Sequence, residues 1–116
     1  MSEDGFSSSV LDALPQAICA ISDADRLAYA NAAFWKFAGV APEDCPIGSP
    51  LRDVVRMLAY RGHYGAGDPE AQVEAIMAIN RTRFSRRQAA TADGLRTLEL
   101  TSMPLPGGGF VNTAHD

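Results

Sequence analysis

The chain has 116 residues, of which 47% are hydrophobic and 21% are charged, and its formal net charge is −4. These values fit one globular domain with a single modest core, and they argue against a broadly basic nucleic-acid-binding surface. No apolar run approaches the ~18 residues of a membrane span, and the acidic, polar start is not a signal peptide. We therefore expect a cytoplasmic domain. Cys19 and Cys45 give no sign of secretion, so a disulfide between them stays open but is not favoured.

The N-terminal part predicts a short helix followed by a β-hairpin. Residues 1–8 have the composition of a flexible terminus, and a short helix over 9–14 would be stopped by Pro15. Strands are predicted over 16–22 and 27–30, joined by an acidic four-residue turn.

The next element is a short helix with clear signals at both ends. Asn31 is suited to cap its first turn, and the helix continues through Ala38. Gly39 then fits the left-handed position that commonly follows a helix. A loop over 41–48 comes next, with one helical turn after Pro42.

Two further helices are predicted in the middle of the chain. The first begins at Ser49-Pro50, a capping hydroxyl followed by a ring that fixes φ, and ends near Gly62. One of its faces is apolar at positions i, i+3, i+4 and i+7: Leu51, Val54, Val55 and Leu58. The second helix is predicted from Asp68-Pro69 to about Asn80.

The C-terminal part predicts three strands joined by short turns. Their ranges are 83–92, 96–103 and 110–115, with a turn at Asp93-Gly94 and a glycine-rich turn at 104–109. Short connections make the three strands an antiparallel meander. The fold class is therefore α+β, with one five-stranded antiparallel sheet, helices on one face and a short N-terminal helix.

Several motifs in this order resemble those of a PAS domain. They are the Asp23–Leu27 hairpin turn, the Asn31-started helix closed by Gly39, and the tail from Pro104-Leu105-Pro106 to Phe110. The segment from Pro50 to Pro69 is similar to the PAS subtype common in bacterial sensor histidine kinases. The resemblance covers about residues 10–116, so residues 9–116 are expected to form a single PAS domain. The chain departs from the family in lacking a glycine between Asp25 and Arg26.

The resemblance implies a sensory and regulatory module of a two-component signalling protein, not an enzyme. A small ligand or a partner would shift a two-state equilibrium, and a kinase or other effector beyond Asp116 would receive the change. The implied ligand pocket is lined by Trp35, Met57, Tyr60, Tyr64, Phe84, Leu98 and Phe110. In the alternative, these residues only fill the core, and the domain is an interaction module without a ligand.

The resemblance also implies a homodimer. In PAS domains a leading helix commonly packs against its twin across the outer face of the sheet. The residues that would form this interface are Phe6, Val10, Leu11 and Leu14. The alternative is that the helix folds back on its own sheet.

No cofactor is expected. The helix over 69–80, where haem-binding PAS domains place their histidine, has none. His63 is expected in an exposed loop, and His115 lies too close to the chain end to pair with it. Neither cysteine has the sequence context of a flavin-binding light sensor, and the histidines and cysteines lack metal-ligand spacing.

The sequence leaves two other kinds of site open. The arginine-rich segment 80–87 fits an anion site or, alternatively, a solvated strand face. A small α+β enzyme is a remote alternative, because no nucleophile–base pair is visible. Glu99, as a carboxylate, and Tyr60, as a hydroxyl donor, would be the best available candidates for its active site.

Overall fold

The computed structural model describes residues 13–90 and 95–115, except for the side chains of Ala89 and Ala90. The elements in chain order are β1 (Ala17–Ile21), β2 (Leu27–Ala30), α1 (Ala32–Ala38), a 3-10 turn (Pro42–Asp44), α2 (Leu51–Tyr60), α3 (Pro69–Met77), β3 (Ser85–Ala90), β4 (Thr97–Pro104) and β5 (Phe110–His115). The predicted flexible terminus 1–8 and the Asp93-Gly94 turn lie outside the described residues. So does the predicted helix over 9–14, apart from Ala13 and Leu14, which are not helical.

The five strands form one antiparallel sheet with the order β2-β1-β5-β4-β3. The last three strands are a meander, and β5 lies at the centre between β1 and β4. The predicted α+β class and sheet are thus confirmed. In the described part of the chain, no helix is long and apolar enough to cross a bilayer.

Register decides which residues of the sheet face the helices. Cys19 pairs with Asn112, and Asn112 pairs with Ser102 on its other side. Residues opposite each other on neighbouring strands share a face, and successive residues alternate between faces. Cys19 belongs to the core cluster together with Val54 and Leu58 of α2. The face that carries Cys19, Asn112 and Ser102 is therefore the inner face, against which the helices pack.

Helix α1 begins and ends as its sequence predicts. Asn31 caps it by accepting a hydrogen bond from the backbone N–H of Phe34. Gly39 has φ 73°, and its N–H donates to the carbonyl of Trp35. The 3-10 turn after Ala41 also agrees with the prediction.

Helices α2 and α3 differ in how they begin. The predicted cap at Ser49 is wrong, because the Ser49 hydroxyl donates to the carbonyl of Pro46 and the N-cap position is Pro50. Asp68 does cap α3, accepting from the N–H of Ala71 at 3.2 Å, with proline at the first helical position.

The ends of α3 and β3 lie inside the predicted ranges. Helix α3 stops at Met77 instead of Asn80, and β3 starts at Ser85 instead of Arg83. The guanidinium of Arg81 folds back and donates to the carbonyl of Ile79 at 2.9 Å and to two carbonyls of the last helical turn. These bonds satisfy carbonyls that have no partner inside the helix, so the chain can turn towards the sheet at this point.

The first hairpin closes without a glycine between Asp25 and Arg26. Asp25 takes φ 57°, which is uncommon for a residue with a side chain but is tolerated by aspartate. The Ser22 hydroxyl accepts from the N–H of Arg26 at 3.3 Å. The register shifts between Ala20 and Ile21, so the shorter turn is accompanied by an irregularity in the strand.

Candidate functional site

A cavity of about 100 Å³ lies between the inner face of the sheet and the helices. Apolar side chains from all three helices form its wall, among them Phe34 and Phe37 of α1, Val54 and Leu58 of α2, and Ile76 of α3. These residues belong to or pack against the core cluster. The apolar stripe predicted for α2 therefore supplies one side of the cavity.

The sheet contributes a polar floor. Ser102 of β4 and Asn112 of β5 are register partners on the inner face, and both line the cavity. The Ser102 Oγ and the Asn112 Oδ1 are buried and have no hydrogen-bond partner within residues 13–90 and 95–115. Buried polar atoms in native proteins are nearly always paired, so such atoms usually indicate a water molecule or a ligand.

The loop after α2 places two further polar groups at the cavity. Tyr64 is partly buried, and this burial raises the pKa of its hydroxyl, so the hydroxyl stays protonated and can donate a hydrogen bond. His63 is half-buried, which corrects the expectation that it is exposed. Its Nε2 lies 3.3 Å from the carbonyl of Ala38, and its ring centroid is 4.5 Å from that of Phe37.

The arginine-rich segment divides between two faces. Arg86 points to the outer face and lies 3.4 Å from the Glu99 carboxylate, whereas Arg87 pairs with Leu100 and lines the cavity. Arg81 also lines the cavity, and its guanidinium lies 5.1 Å from the centre of the Phe110 ring. Burial lowers the pKa of Arg81. The segment therefore combines a solvated strand face with two cations at the cavity.

The residues predicted for the pocket do not all come together. Tyr64 lines the cavity, whereas Phe110 is buried in the core and is not one of the lining residues. Trp35 and Met57 pack against the core cluster at half-buried positions. Tyr60 is 60% exposed and Phe84 is 51% exposed.

Leu98 is buried, but it lines a second cavity near the start of β4, together with Lys36 and Phe37. Among the residues proposed for dimerisation, Leu14 is 39% exposed. The other three, Phe6, Val10 and Leu11, lie outside the described residues.

Sequence reasoning missed Ser102 and Asn112, although the alternation contained a signal for both. Leu98 and Leu100 alternate with polar residues along the predicted strand 96–103, and continuing that alternation by two residues reaches Ser102. In the same way, the inward-facing Phe110 is followed two residues later on the same strand by Asn112, which shares its face. A polar residue at an inward position of a sheet needs a partner, and this requirement identifies it as a candidate binding residue.

The cysteines are free thiols in the core, not a disulfide. Burial raises the pKa of Cys19 to about 12 and also raises that of Cys45. A thiol that stays protonated is a poor nucleophile and a poor metal ligand. The described residues contain no group of three or more histidine, cysteine or acidic side chains that could hold a metal.

Glu99 and Tyr60, the residues considered for an enzyme, lie apart. Glu99 faces outward and interacts with Arg86 and His115. Tyr60 is exposed at the end of α2, where its hydroxyl bonds to Glu70 and its pKa is raised. These two side chains do not form a common site.

A sequence model of the PAS fold matches residues 11–116, almost the whole chain. The chain belongs to the PAS family. No curated protein matches it significantly. The order and topology of the strands and helices described above agree with this assignment, and PAS domains are in general sensory modules.

Solved PAS structures share the fold at low sequence identity. The PAS domain of BvgS from Bordetella pertussis superposes with a TM-score of 0.66 at 20% identity, covering 98% of this chain and 85% of that one. The photoactive yellow protein domain of the sensor histidine kinase Ppr from Rhodospirillum centenum gives 0.61 at 14% identity, covering 97% and 95%. A domain of a sensory box sensor histidine kinase/response regulator from Geobacter sulfurreducens gives 0.53 at 18% identity, covering 98% and 94%.

Proposed function

We propose that this PAS domain is the sensory module of a cytoplasmic bacterial sensor histidine kinase and that it binds a small molecule in the inner cavity. The observation that carries the proposal is the pair of unpartnered buried atoms, Ser102 Oγ and Asn112 Oδ1, at the floor of that cavity. A core built only for stability would pair such atoms or replace them with apolar groups. Two similar structures come from proteins described as sensor histidine kinases, which favours the same context here.

The position of the cavity supports a conformational role. Its floor belongs to β4 and β5, and its walls belong to α1, α2 and α3, so an occupant would contact both layers of the domain at once. A ligand that contacts one arrangement of these layers better than another shifts the population towards it. The proposal places the kinase domain after Asp116, so that a change in the position of β5, which ends at His115, would be passed on to it.

Native mass spectrometry of the domain purified from cells, combined with a small-molecule screen read by NMR, tests this proposal. We expect a retained or added compound to shift the side-chain amide signal of Asn112. A matched variant, Asn112→Leu, should lose that binding while keeping its circular dichroism spectrum. If no compound is retained, or if the compounds that bind perturb only surface residues, the domain is an interaction module with a filled core.

We also propose that the domain forms a homodimer through its N-terminal segment and the outer face of the sheet. Met103 lies opposite Val111 on that outer face and is 47% exposed, and Leu14 is 39% exposed at the chain segment that leads into β1. Apolar positions of this kind are typical of an interaction surface. Sedimentation of the wild type and of a Val10→Asp, Leu14→Asp double variant tests the proposal, which predicts a dimer and a folded monomer respectively. A monomeric wild type at high concentration, or a variant that unfolds, would contradict it.

A further inference from the structure

The charge around the inner cavity is one-sided. Two guanidinium groups, those of Arg81 and Arg87, line it, and no aspartate or glutamate of the described residues does. Arg81 is engaged with backbone carbonyls and with the Phe110 ring. Arg87, an exposed residue that also lines the cavity, has no carboxylate partner within residues 13–90 and 95–115. A cavity lined by two guanidinium groups and by no carboxylate of the described residues favours an anion and disfavours an ammonium group.

The polar floor specifies a second group on the same molecule. Asn112 Oδ1 can only accept a hydrogen bond, whereas the hydroxyl of Ser102 can donate or accept. Because the two residues are register partners, one ligand hydroxyl can donate to Asn112 and accept from Ser102. A single ligand hydroxyl therefore satisfies both buried atoms. A carboxylate at that position could not donate to Asn112 Oδ1, and a methyl group could bond to neither atom.

The spacing and the volume limit the size of the ligand. Arg87 pairs with Leu100, which precedes Ser102 by two residues on β4. The backbone positions of Leu100 and Ser102 are therefore about 6–7 Å apart along the strand. The cavity of about 100 Å³ is smaller than the ~150 Å³ engineered cavity that accommodates benzene in another protein. A ligand of roughly four to six non-hydrogen atoms fits this limit.

We infer that the cavity binds a short-chain hydroxycarboxylate, with its carboxylate at Arg87 and the Tyr64 hydroxyl and its own hydroxyl between Ser102 and Asn112. This inference rests on the proposed function and adds to it the chemical class of the ligand. Charge-assisted hydrogen bonds to an arginine fix the acidic end, and the neutral pair on the sheet fixes the other end.

Three probes of nearly equal size test the inference on the 116-residue chain. Lactate carries both groups, propionate lacks the hydroxyl and 1,2-propanediol lacks the carboxylate. Titration followed by calorimetry and by the Asn112 side-chain amide signal should give lactate a Kd at least about tenfold lower than either of the others, since each loses one specific interaction. Equal affinity for lactate and propionate, or tighter binding of inorganic phosphate, would overturn the inference.

Variants on β3 and β5 separate the two contacts. Arg87→Gln should weaken lactate binding at least about tenfold and leave 1,2-propanediol unchanged. Arg86→Gln is the matched control, because it is the adjacent arginine on the outer face, and it should leave both unchanged. Asn112→Ala should remove the preference for lactate over propionate, and Ser102→Ala tests the same contact if the first variant is unfolded. An Arg86→Gln effect equal to that of Arg87→Gln would contradict the assignment.

The two proposals fail in different ways. If 1,2-propanediol or another neutral compound binds the cavity and lactate does not, the hydroxycarboxylate inference is wrong and small-molecule sensing stands. If neither these probes nor any screened compound shifts the Asn112 amide signal, both are wrong.

Discussion

Asn31 and Ile18 are joined by two reciprocal hydrogen bonds. The N–H of Ile18 donates to Asn31 Oδ1 at 2.9 Å, and the N–H of Asn31 donates to the carbonyl of Ile18 at 3.0 Å. The same side chain caps α1 through Phe34, and its amide nitrogen donates to the carbonyl of Gln16 at 2.9 Å. Asn31 is fully buried. One side chain therefore ties the first strand to the first helix.

Replacing Asn31 with alanine should be among the most destabilising polar substitutions in this domain. It removes the helix cap and leaves the N–H groups of Ile18 and Phe34 without a side-chain acceptor, which together should lower the free energy of unfolding by about 2–4 kcal/mol. Urea denaturation followed by circular dichroism measures this change. Asn31→Ser is the matched control, because serine can still cap Phe34, and it should lose less. A midpoint for Asn31→Ala equal to that of the wild type would contradict this role.

Gly39→Val should destabilise the domain through the backbone. Gly39 has φ 73°, where a β-branched residue is strained, and a Cβ placed there would meet only Arg61 Nη1 at an ordinary 3.6 Å. The expected loss is about 1–2 kcal/mol in the free energy of unfolding. Gly39→Asn adds a side chain that tolerates this conformation and should cost clearly less. Equal losses for the two variants would indicate that crowding, not φ, is responsible.

These two residues illustrate what the sequence predicts well. Asn31 and Gly39 bound α1 through local chemistry, and local chemistry can be identified without knowledge of the fold. The short turns of the meander and the alternation of β4 are equally local. The positions of the strands and helices were therefore predicted closely. Errors of a few residues occur where a side chain beyond the helix, such as Arg81, bonds to the carbonyls of its last turn.

The cavity was predicted less well, because its lining depends on contacts between distant elements. Tyr60 and Tyr64 lie in the same segment, yet Tyr60 is exposed at a helix end whereas Tyr64 is partly buried and packs against the core cluster. The pocket residues implied by the family resemblance are all large and mostly aromatic, whereas the floor of the cavity consists of small polar residues that lack hydrogen-bond partners. That property appears only when the strands are paired in register.

Asn112→Leu should stabilise the free domain. Leucine has a similar shape, and the substitution removes a buried oxygen whose lack of a partner costs about 1–3 kcal/mol. Thermal unfolding of the domain freed of small molecules should give a higher Tm. A residue that lowers stability and is nevertheless present is characteristic of a binding site. A lower Tm for the leucine variant would mean that Asn112 is a satisfied structural residue.

The last prediction concerns pH and His63. Burial is the largest cause that lowers the pKa of His63 below its ordinary value of 6.5, and the nearby Arg61 and Arg96 lower it further, while the bond to the carbonyl of Ala38 raises it. The native state therefore binds this proton less readily than the unfolded state does. Since stability rises with pH wherever the unfolded state binds more protons, the contribution of neutral His63 is fully present above about pH 6.5 and is lost as the pH falls through the lowered native pKa.

Comparison with a His63→Gln variant isolates this effect, because glutamine does not titrate and its amide can still donate to Ala38. The other titrating groups, including Glu70, whose pKa is lowered by its bond to Arg56, act equally in both proteins and cancel in the difference. Urea unfolding of both proteins at several values between about pH 7.5 and pH 5 should show a constant difference at the upper end and a progressive loss in the wild type alone below about pH 6.5. A difference that does not change with pH, or a wild type that gains stability on acidification, would mean that His63 is solvated in the native state and that the wall of the cavity beside Phe37 is open to water.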